Sequence, residues 1–317
     1  MIKWNKKKIG VILAVCLMAS NNVYAAPESS QSTIDTLLAS TNPHDHIEAL
    51  KIMEANGAKV TKITINEFDA LKALNEKLED GKDERAQVYS AEELDYISNY
   101  RANLTKKIEN MQQQSDETLK KYDYTDDQIY AIRNFDGSDE MLRRASSECN
   151  VYGGFNNFTT SSSRSSAQLV AAFDWNGAYS PGNPVANSDI FGVTWAAPYR
   201  ENSATGYLIH ENVSYNSTIQ TTVTVDADDL YVSSIQVDNN KLKTISGTPI
   251  GHWIDAGSII SELSSNSYAP DLAGFAAYGL SSLSISPSVE AGSGGAGASL
   301  SFSSGVSEVG SSRFYPE

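Results

Sequence analysis

The chain has 317 residues, 39 acidic and 24 basic, for a net charge of −15. A surface this acidic repels phosphate backbones and anionic headgroups, which disfavours nucleic-acid binding and electrostatic docking on membranes. Two cysteines in the whole chain exclude a disulfide-rich scaffold, so stability has to come from a buried core.

The first 25 residues read as an export signal. Lys3, Lys6, Lys7 and Lys8 precede an apolar run from Ile9 to Ala19, and Val23-Tyr24-Ala25 offers small side chains at a cleavage site after Ala25. At about 1.5 Å per residue that run reaches only about half of a ~30 Å hydrocarbon core, too short for an anchor. Leu13-Ala14-Val15-Cys16 departs from a lipobox at Val15. Cleavage removes Cys16 and leaves 20 basic against 39 acidic residues, net −19, with Cys149 alone. The expected location is therefore secreted, outside the cell.

Residues 26–45 are polar and read as a flexible leader with at most one short helix near Ile34 to Ala39. Residues 46–146 read as helical. Phe68, Leu71, Leu74 and Leu78 fall on one helical face, and Gly81 stops that run. Ser90-Ala91-Glu92-Glu93 and Thr125-Asp126-Asp127-Gln128 are capping boxes. Leu94, Ile97, Leu104, Ile108 and Met111 form one long stripe, and Gly137 closes a helix through Ile129, Ile132 and Phe135.

Composition shifts near residue 147. Residues 151–317 hold only 5 of the basic and 14 of the acidic residues, while Ser, Thr, Gly, Asn and Tyr take over. Alternation in Ala171-Phe173-Trp175, Ile190-Gly192-Thr194, Ile219-Thr221-Val223-Val225, Leu230-Val232-Ser234 and Leu283-Ile285 predicts about eight short strands. The fold class expected is α+β: an N-terminal helical segment or bundle followed by an antiparallel β-sandwich over 147–317. Tyr124-Thr125-Asp126-Asp127-Gln128-Ile129, with Asn134-Phe135-Asp136-Gly137 and Phe173-Asp174-Trp175-Asn176-Gly177, resembles a pattern in secreted proteins of Gram-positive bacteria without assigned function. That resemblance implies an exported bacterial protein and brings no catalytic residues with it.

Chemistry-bearing motifs are sparse. The chain has no nucleophile elbow, zincin helix, Walker A loop or dinucleotide fingerprint. Cys149 with His210 or His252 and Asp255 would make a thiolate nucleophile, but nothing beyond co-occurrence supports it. Asp174 and Asp255, each near a tryptophan, are the acid pair a secreted hydrolase would use. Asp226, Asp228 and Asp229, taken as a turn, offer oxygens for calcium, the one cofactor considered. Trp175, Trp195, Tyr199, Tyr207 and Trp253 are the candidate contact residues for an unknown extracellular ligand or cell-surface component. A β-domain also buries such aromatics. Residues 282–305 (SLSISPSVEAGSGGAGASLSFSSG) read as a hairpin. Arms of about nine residues approach the ~9–11 that cross a bilayer. Pro287 and the shortage of large apolar groups weigh against insertion. The leading expectation is a non-catalytic protein acting by binding or at the cell surface. A pore-forming or bacteriocin-like toxin and a secreted hydrolase are the alternatives.

Overall fold

The computed structural model describes residues 28–79, 91–177, 188–229, 231–270, 272–281, 289–291, 300–302 and 306–314. The signal segment, Ser90, Leu283 and Ile285 lie outside the described residues. The fold is α+β, with helices and antiparallel sheets. Eight helices are described: α1 (Glu28–Leu38), α2 (Pro43–Ala55), α3 (Glu67–Glu79), α4 (Ala91–Ser98), α5 (Tyr100–Met111), α6 (Asp116–Lys121), α7 (Asp126–Arg133) and α8 (Asp139–Ala145). The segment 26–45 carries more helix than its polarity predicts. Ile34 and Leu38 of α1 are buried, and Asn42 caps α2 by accepting a hydrogen bond from the His44 amide at 3.1 Å. Pro43 sits at the first helical position, where its missing N–H costs nothing.

The stripe from Leu94 to Met111 is two helices rather than one. Asn99 interrupts it by donating from its side-chain amide to the Asp95 carbonyl at 2.9 Å, the local competition that makes Asn a poor mid-helix residue. At α7 the capping box forms as expected, with Thr125 and Gln128 bonded reciprocally. Helices α3 to α8 bury Phe68, Leu71, Leu104, Ile108, Leu119, Ile129, Ile132 and Leu142 together. A nearly buried ion pair, Lys107 to Glu67 at 2.8 Å, ties α5 to the start of α3. The same Lys107 ammonium donates to Ser147 Oγ at 3.0 Å, where the helices give way to strands.

The strands are β1 (Thr61–Asn66), β2 (Glu148–Thr160), β3 (Ser165–Asn176), β4 (Ser188–Trp195), β5 (Arg200–Asn212), β6 (Ser217–Val223), β7 (Asp226–Asp229), β8 (Val232–Asp238), β9 (Asn240–Ile245), β10 (Thr248–Ser265), β11 (Gly274–Ser281), β12 (Val289–Ala291), β13 (Leu300–Phe302) and β14 (Val306–Phe314). β1 falls inside the stretch read as helical. Its Ile63 and Ile65 alternate at a strand's period, and it pairs antiparallel with β2, Ile65 opposite Cys149. One sheet runs β1-β2-β3-β10-β5-β6, with β9 paired to the start of β10. A second runs β14-β11-β4-β8-β7, and β12 pairs with β13.

The two large sheets share one apolar cluster, which includes Val151, Leu169, Phe173, Trp175, Phe191, Val193, Leu208, Ile235, Ile259 and Tyr278. Its centre is aromatic: the Phe173 ring meets those of Phe191 (5.1 Å) and Tyr278 (4.8 Å) edge-on, and Trp175 meets Tyr278 at 5.7 Å. The Tyr278 hydroxyl donates to the buried Asp189 carboxylate at 2.8 Å. The opposite face of the seven-stranded sheet is small and apolar, with Val170, Ala172, Ile209 and Ala256. There it receives Ile34, Leu38, Ile47, Leu50 and Met53 of α1 and α2.

His210 is fully buried, and its Nε2 donates to the Asp238 carbonyl at 2.6 Å. Burial lowers its pKa from 6.5 to about 4. A histidine with a depressed pKa stabilises the fold above its unfolded value, and that stability is lost as pH falls through the folded one. Acidification from pH 6.5 to about 4 is therefore expected to cost about 3 kcal/mol through His210 alone. In urea unfolding followed across that range, His210→Gln should show a correspondingly shallower acid slope than the wild type.

Candidate functional site

The five aromatic candidates do not gather in one concavity. Trp175, Trp195 and Tyr199 are buried in the core between the sheets. The Trp195 indole donates to the Tyr199 carbonyl at 3.1 Å, and the Tyr199 hydroxyl donates to the Ala269 carbonyl. Trp253 is half-buried and packs against the rim of that core. Tyr207 is half-buried on the other face of the sheet, its ring 5.3 Å from that of His46. Asp226 and Asp229 are the ends of β7, paired with Ser234 and Val232 of β8, so this acidic segment is a strand rather than an open turn. The side chains of Asp228 and Asp229 lie outside the described residues. Cys149 is fully buried, and burial pushes its thiol well above the ordinary range. A thiol held protonated in that way does not act as a nucleophile.

The structure does bring Asp174 and Asp255 together, without the aromatic platforms. Successive side chains of a strand point to opposite faces, so Trp175 enters the inter-sheet core while Asp174 emerges on the face covered by α2. Ala256 lies opposite Asp174 in the β3–β10 ladder, and a register shift between Ile254 and Ala256 marks a bulge at Asp255. Asp255 receives His44 Nε2 from the first turn of α2 at 2.6 Å. Glu211, near the end of β5, and Asp123, from the turn between α6 and α7, complete the group. Each interacts electrostatically with Asp255 and His44.

Five elements thus supply four carboxylates and one imidazole. Lys62 of β1, which stands over the Tyr152 ring at 5.4 Å, acts electrostatically on Asp174 together with His44. The Tyr152 hydroxyl reaches Asp174 Oδ2 at 3.5 Å, and a side-chain hydrogen bond from Asn150, its partner on β2, opposes the effect of burial on the Asp174 carboxyl. Partial burial raises the pKa of Asp174, Glu211 and Asp123, and repulsion from Asp255 adds to each. The hydrogen bond to Asp255 raises that of His44 against the opposing effect of burial. All four shifts report one condition, a surplus of negative charge in a partly dehydrated place.

Two residues of this site, His44 and Asp123, were not singled out in the sequence. His44 falls in the polar stretch 26–45 read as a flexible leader, and His46 falls just after it. The signal that locates them is Asn42-Pro43, an N-cap followed by proline at the first helical position. Asp123 is invisible in the sequence, because only the turn brings it near. It adopts φ 59°, and the turn is fastened by the Gly177 amide donating to the Tyr122 carbonyl at 2.9 Å.

No protein-family model matches the chain, and no curated protein matches it. Among solved structures, the KRT10-binding region domain of the pneumococcal serine-rich repeat protein PsrP is similar over 43% of this chain and 78% of that one, at 8% identity and a TM-score of 0.23. A structure described as a pore forming protein is similar over 53% of this chain and 85% of that one, at 10% identity and a TM-score of 0.24.

Gly177 is the residue on which the placement of Asp123 turns. Its φ is +84°, and a Cβ there would lie 2.8 Å from the ring of the buried Tyr124. Gly177→Ala is expected to destabilise the protein by about 1–3 kcal/mol, read as a lower urea midpoint, since both the left-handed backbone and the ring oppose a methyl group.

Proposed function

We propose that the protein is exported and acts by binding a component outside the cell or at its surface, through the acid-rich junction around Asp255, rather than by catalysis. The observation that carries this reading is the charge surplus at the junction. Asp123, Asp174, Glu211 and Asp255 converge from four elements, and partial burial with mutual repulsion raises the carboxyl pKa of three of them. A cationic group on a partner, such as a lysine or arginine side chain, would relieve that repulsion and gain from the low local dielectric. The export reading rests on the lysine-flanked apolar run at the N-terminus. The two large sheets sharing one core support reading the C-terminal part as a β-sandwich, a rigid frame for loops and edges that recognise partners.

A short arginine-rich peptide is the probe for this reading. Its binding by calorimetry is expected to weaken with salt and to fall roughly tenfold in Asp255→Asn/Glu211→Gln, as loss of charge-assisted contacts requires. Glu48→Gln/Glu54→Gln removes as many charges from the exposed side of α2 and should leave binding nearly unchanged. Equal losses in both double variants would reduce the effect to net charge and remove the junction as the contact.

A second reading, pore formation, is favoured by the pairing of β12 with β13, where Val289 faces Phe302 and Ala291 faces Leu300. The ribbon also contacts strands β4, β7, β8, β11 and β14, as a closing hairpin would. Among the described residues, no helix is long and apolar enough to cross a membrane. Dye release from liposomes by the cleaved protein at micromolar concentration should be absent under the binding reading, and release would favour the pore.

A further inference from the structure

Two histidines two residues apart fasten α2 to β10, and they require opposite protonation states. His44 Nε2 meets the Asp255 carboxylate at 2.6 Å, an ion pair only while the imidazole is charged. His46 is fully buried; its Nε2 lies 2.9 Å from the Ser40 carbonyl and its Nδ1 lies 2.7 Å from Ser258 Oγ. A carbonyl only accepts, so Nε2 carries the proton, which leaves Nδ1 able to accept from the Ser258 hydroxyl. That is the neutral ring with both nitrogens satisfied. Charging it would place an ion in a fully buried position and turn the buried Ser258 hydroxyl from donor to acceptor.

The corner between α1 and α2 is built around these contacts. The Ser40 hydroxyl bonds Asp45 at 2.5 Å and accepts from the Asn42 amide at 3.1 Å, which fixes the carbonyl that His46 uses. The surroundings of both rings oppose each other in the same way. His44 faces Asp255 on β10, Asp174 on β3 and Asp123 on the α6–α7 turn, with Glu211 of β5 beside them, and this raises its pKa. His46 faces Tyr207 of β5, Ser258 of β10 and, on its own helix, Asp45; burial lowers its pKa. The cations nearest the cluster, Lys62 of β1 and His44 itself, do not reach His46 in the contacts described.

We propose that α1 and α2 form a pH-sensitive cover over the outer face of the seven-stranded sheet, docked most firmly in a window near the ordinary histidine pKa and loosened on either side of it. Above the window His44 loses its charge and with it the ion pair to Asp255. The charged carboxylates of Asp123, Asp174 and Glu211 then have one cation fewer among them. Below the window a proton enters His46, where burial opposes it. The signs follow from linkage. A group with a raised pKa gives stability that disappears as pH climbs through the folded value. A group with a lowered pKa gives stability that disappears as pH drops through it. Loosening the cover would expose Val170, Ala172, Ile209 and Ala256, an apolar face now sealed by Ile47, Leu50 and Met53. The proposal does not depend on the binding reading, because it concerns how the cover sits on the sheet whether or not a partner is present.

Hydrogen exchange, expressed as protection factors corrected for intrinsic rate, tests it between pH 5 and 9 on the whole protein. Amides of residues 46–55 are expected to be most protected near pH 6.5 and to fall roughly tenfold toward each end, while amides of α5 in the helical cluster stay level. His44→Gln should remove the alkaline fall and leave the acid one. His44→Lys, which keeps a charge to higher pH, should move the alkaline fall beyond pH 9. His46→Gln, which offers one donor and one acceptor, should remove the acid fall. A level profile for residues 46–55 in the wild type would overturn the proposal. So would the same bell in all three variants, or a fall in α5 parallel to that in α2, since each would make the effect global rather than a property of the cover.

Discussion

The middle strands of the seven-stranded sheet are buried on both faces, and most other features follow from that constraint. β3 sends Leu169, Ala171, Phe173 and Trp175 toward the five-stranded sheet and Val170 and Ala172 toward α1 and α2. A strand covered on both sides reads as a continuous apolar run, and Leu169 to Phe173 has no polar residue. The two faces differ in size. Bulky rings fill the space between the sheets, whereas alanines on the other side let helices approach closely. At Gly257 of β10 even a methyl group is excluded, because its Cβ would lie 2.4 Å from the Phe173 ring. The central aromatic cluster and the path of β10 are thus fixed by the same contact.

The same double burial explains the site. Asp174 continues the series of Val170 and Ala172 toward the covered face, but it lies near the end of β3, past the apolar contacts of α2. A carboxylate there is only partly dehydrated, and it is tolerated because Asn150 hydrogen-bonds it and Lys62 and His44 attract it. Asp255 reaches the same place by a bulge in β10, which breaks the alternation that would otherwise set its direction. Glu211 arrives at the end of β5, opposite Trp253. The acids gather where the ladders end, since only at the margin of a twice-covered sheet is there room for charge.

What could be read in the sequence divides along the same physical line. Helices α3 and α7 were legible because an apolar face recurs every three or four residues and a capping box or glycine marks an end. The composition shift near residue 147 lies close to where β2 begins at Glu148, with β1 already before it. β1 was not legible. Its six residues alternate as a strand, but they sit between helices and have meaning only through a partner 82 to 92 positions away in the chain. Several strands of the second half escaped notice for another reason. β9 and β14 are rich in Lys, Ser, Thr and Gly, so their pairing rests on backbone hydrogen bonds more than on side-chain pattern. The aromatics beside Asp174 and Asp255 were misleading as a pair of features. Adjacency along β3 places Trp175 and Asp174 on opposite faces, and the bulge in β10 breaks the alternation that would put Asp255 on the side of Trp253.

The pairing of His44 with His46 shows how a helix terminus can carry two opposite electrostatic demands in a single turn. Residues two apart on a helix point in different directions, about 200° around the axis. One ring therefore leans out to the acid cluster while the other leans into the sheet. Partial water access with a carboxylate stabilises the imidazolium; full burial with a carbonyl and a hydroxyl stabilises the neutral ring. Neither ring alone would confine docking to a window, because each gives a one-sided dependence on pH. Their coexistence follows from Asn42 and Pro43, which start the helix at a point that leaves His44 in the first turn, at the rim, and His46 one step inward. Moving that start by a single residue would turn both rings by about 100° around the axis, away from Asp255 and Ser258 alike.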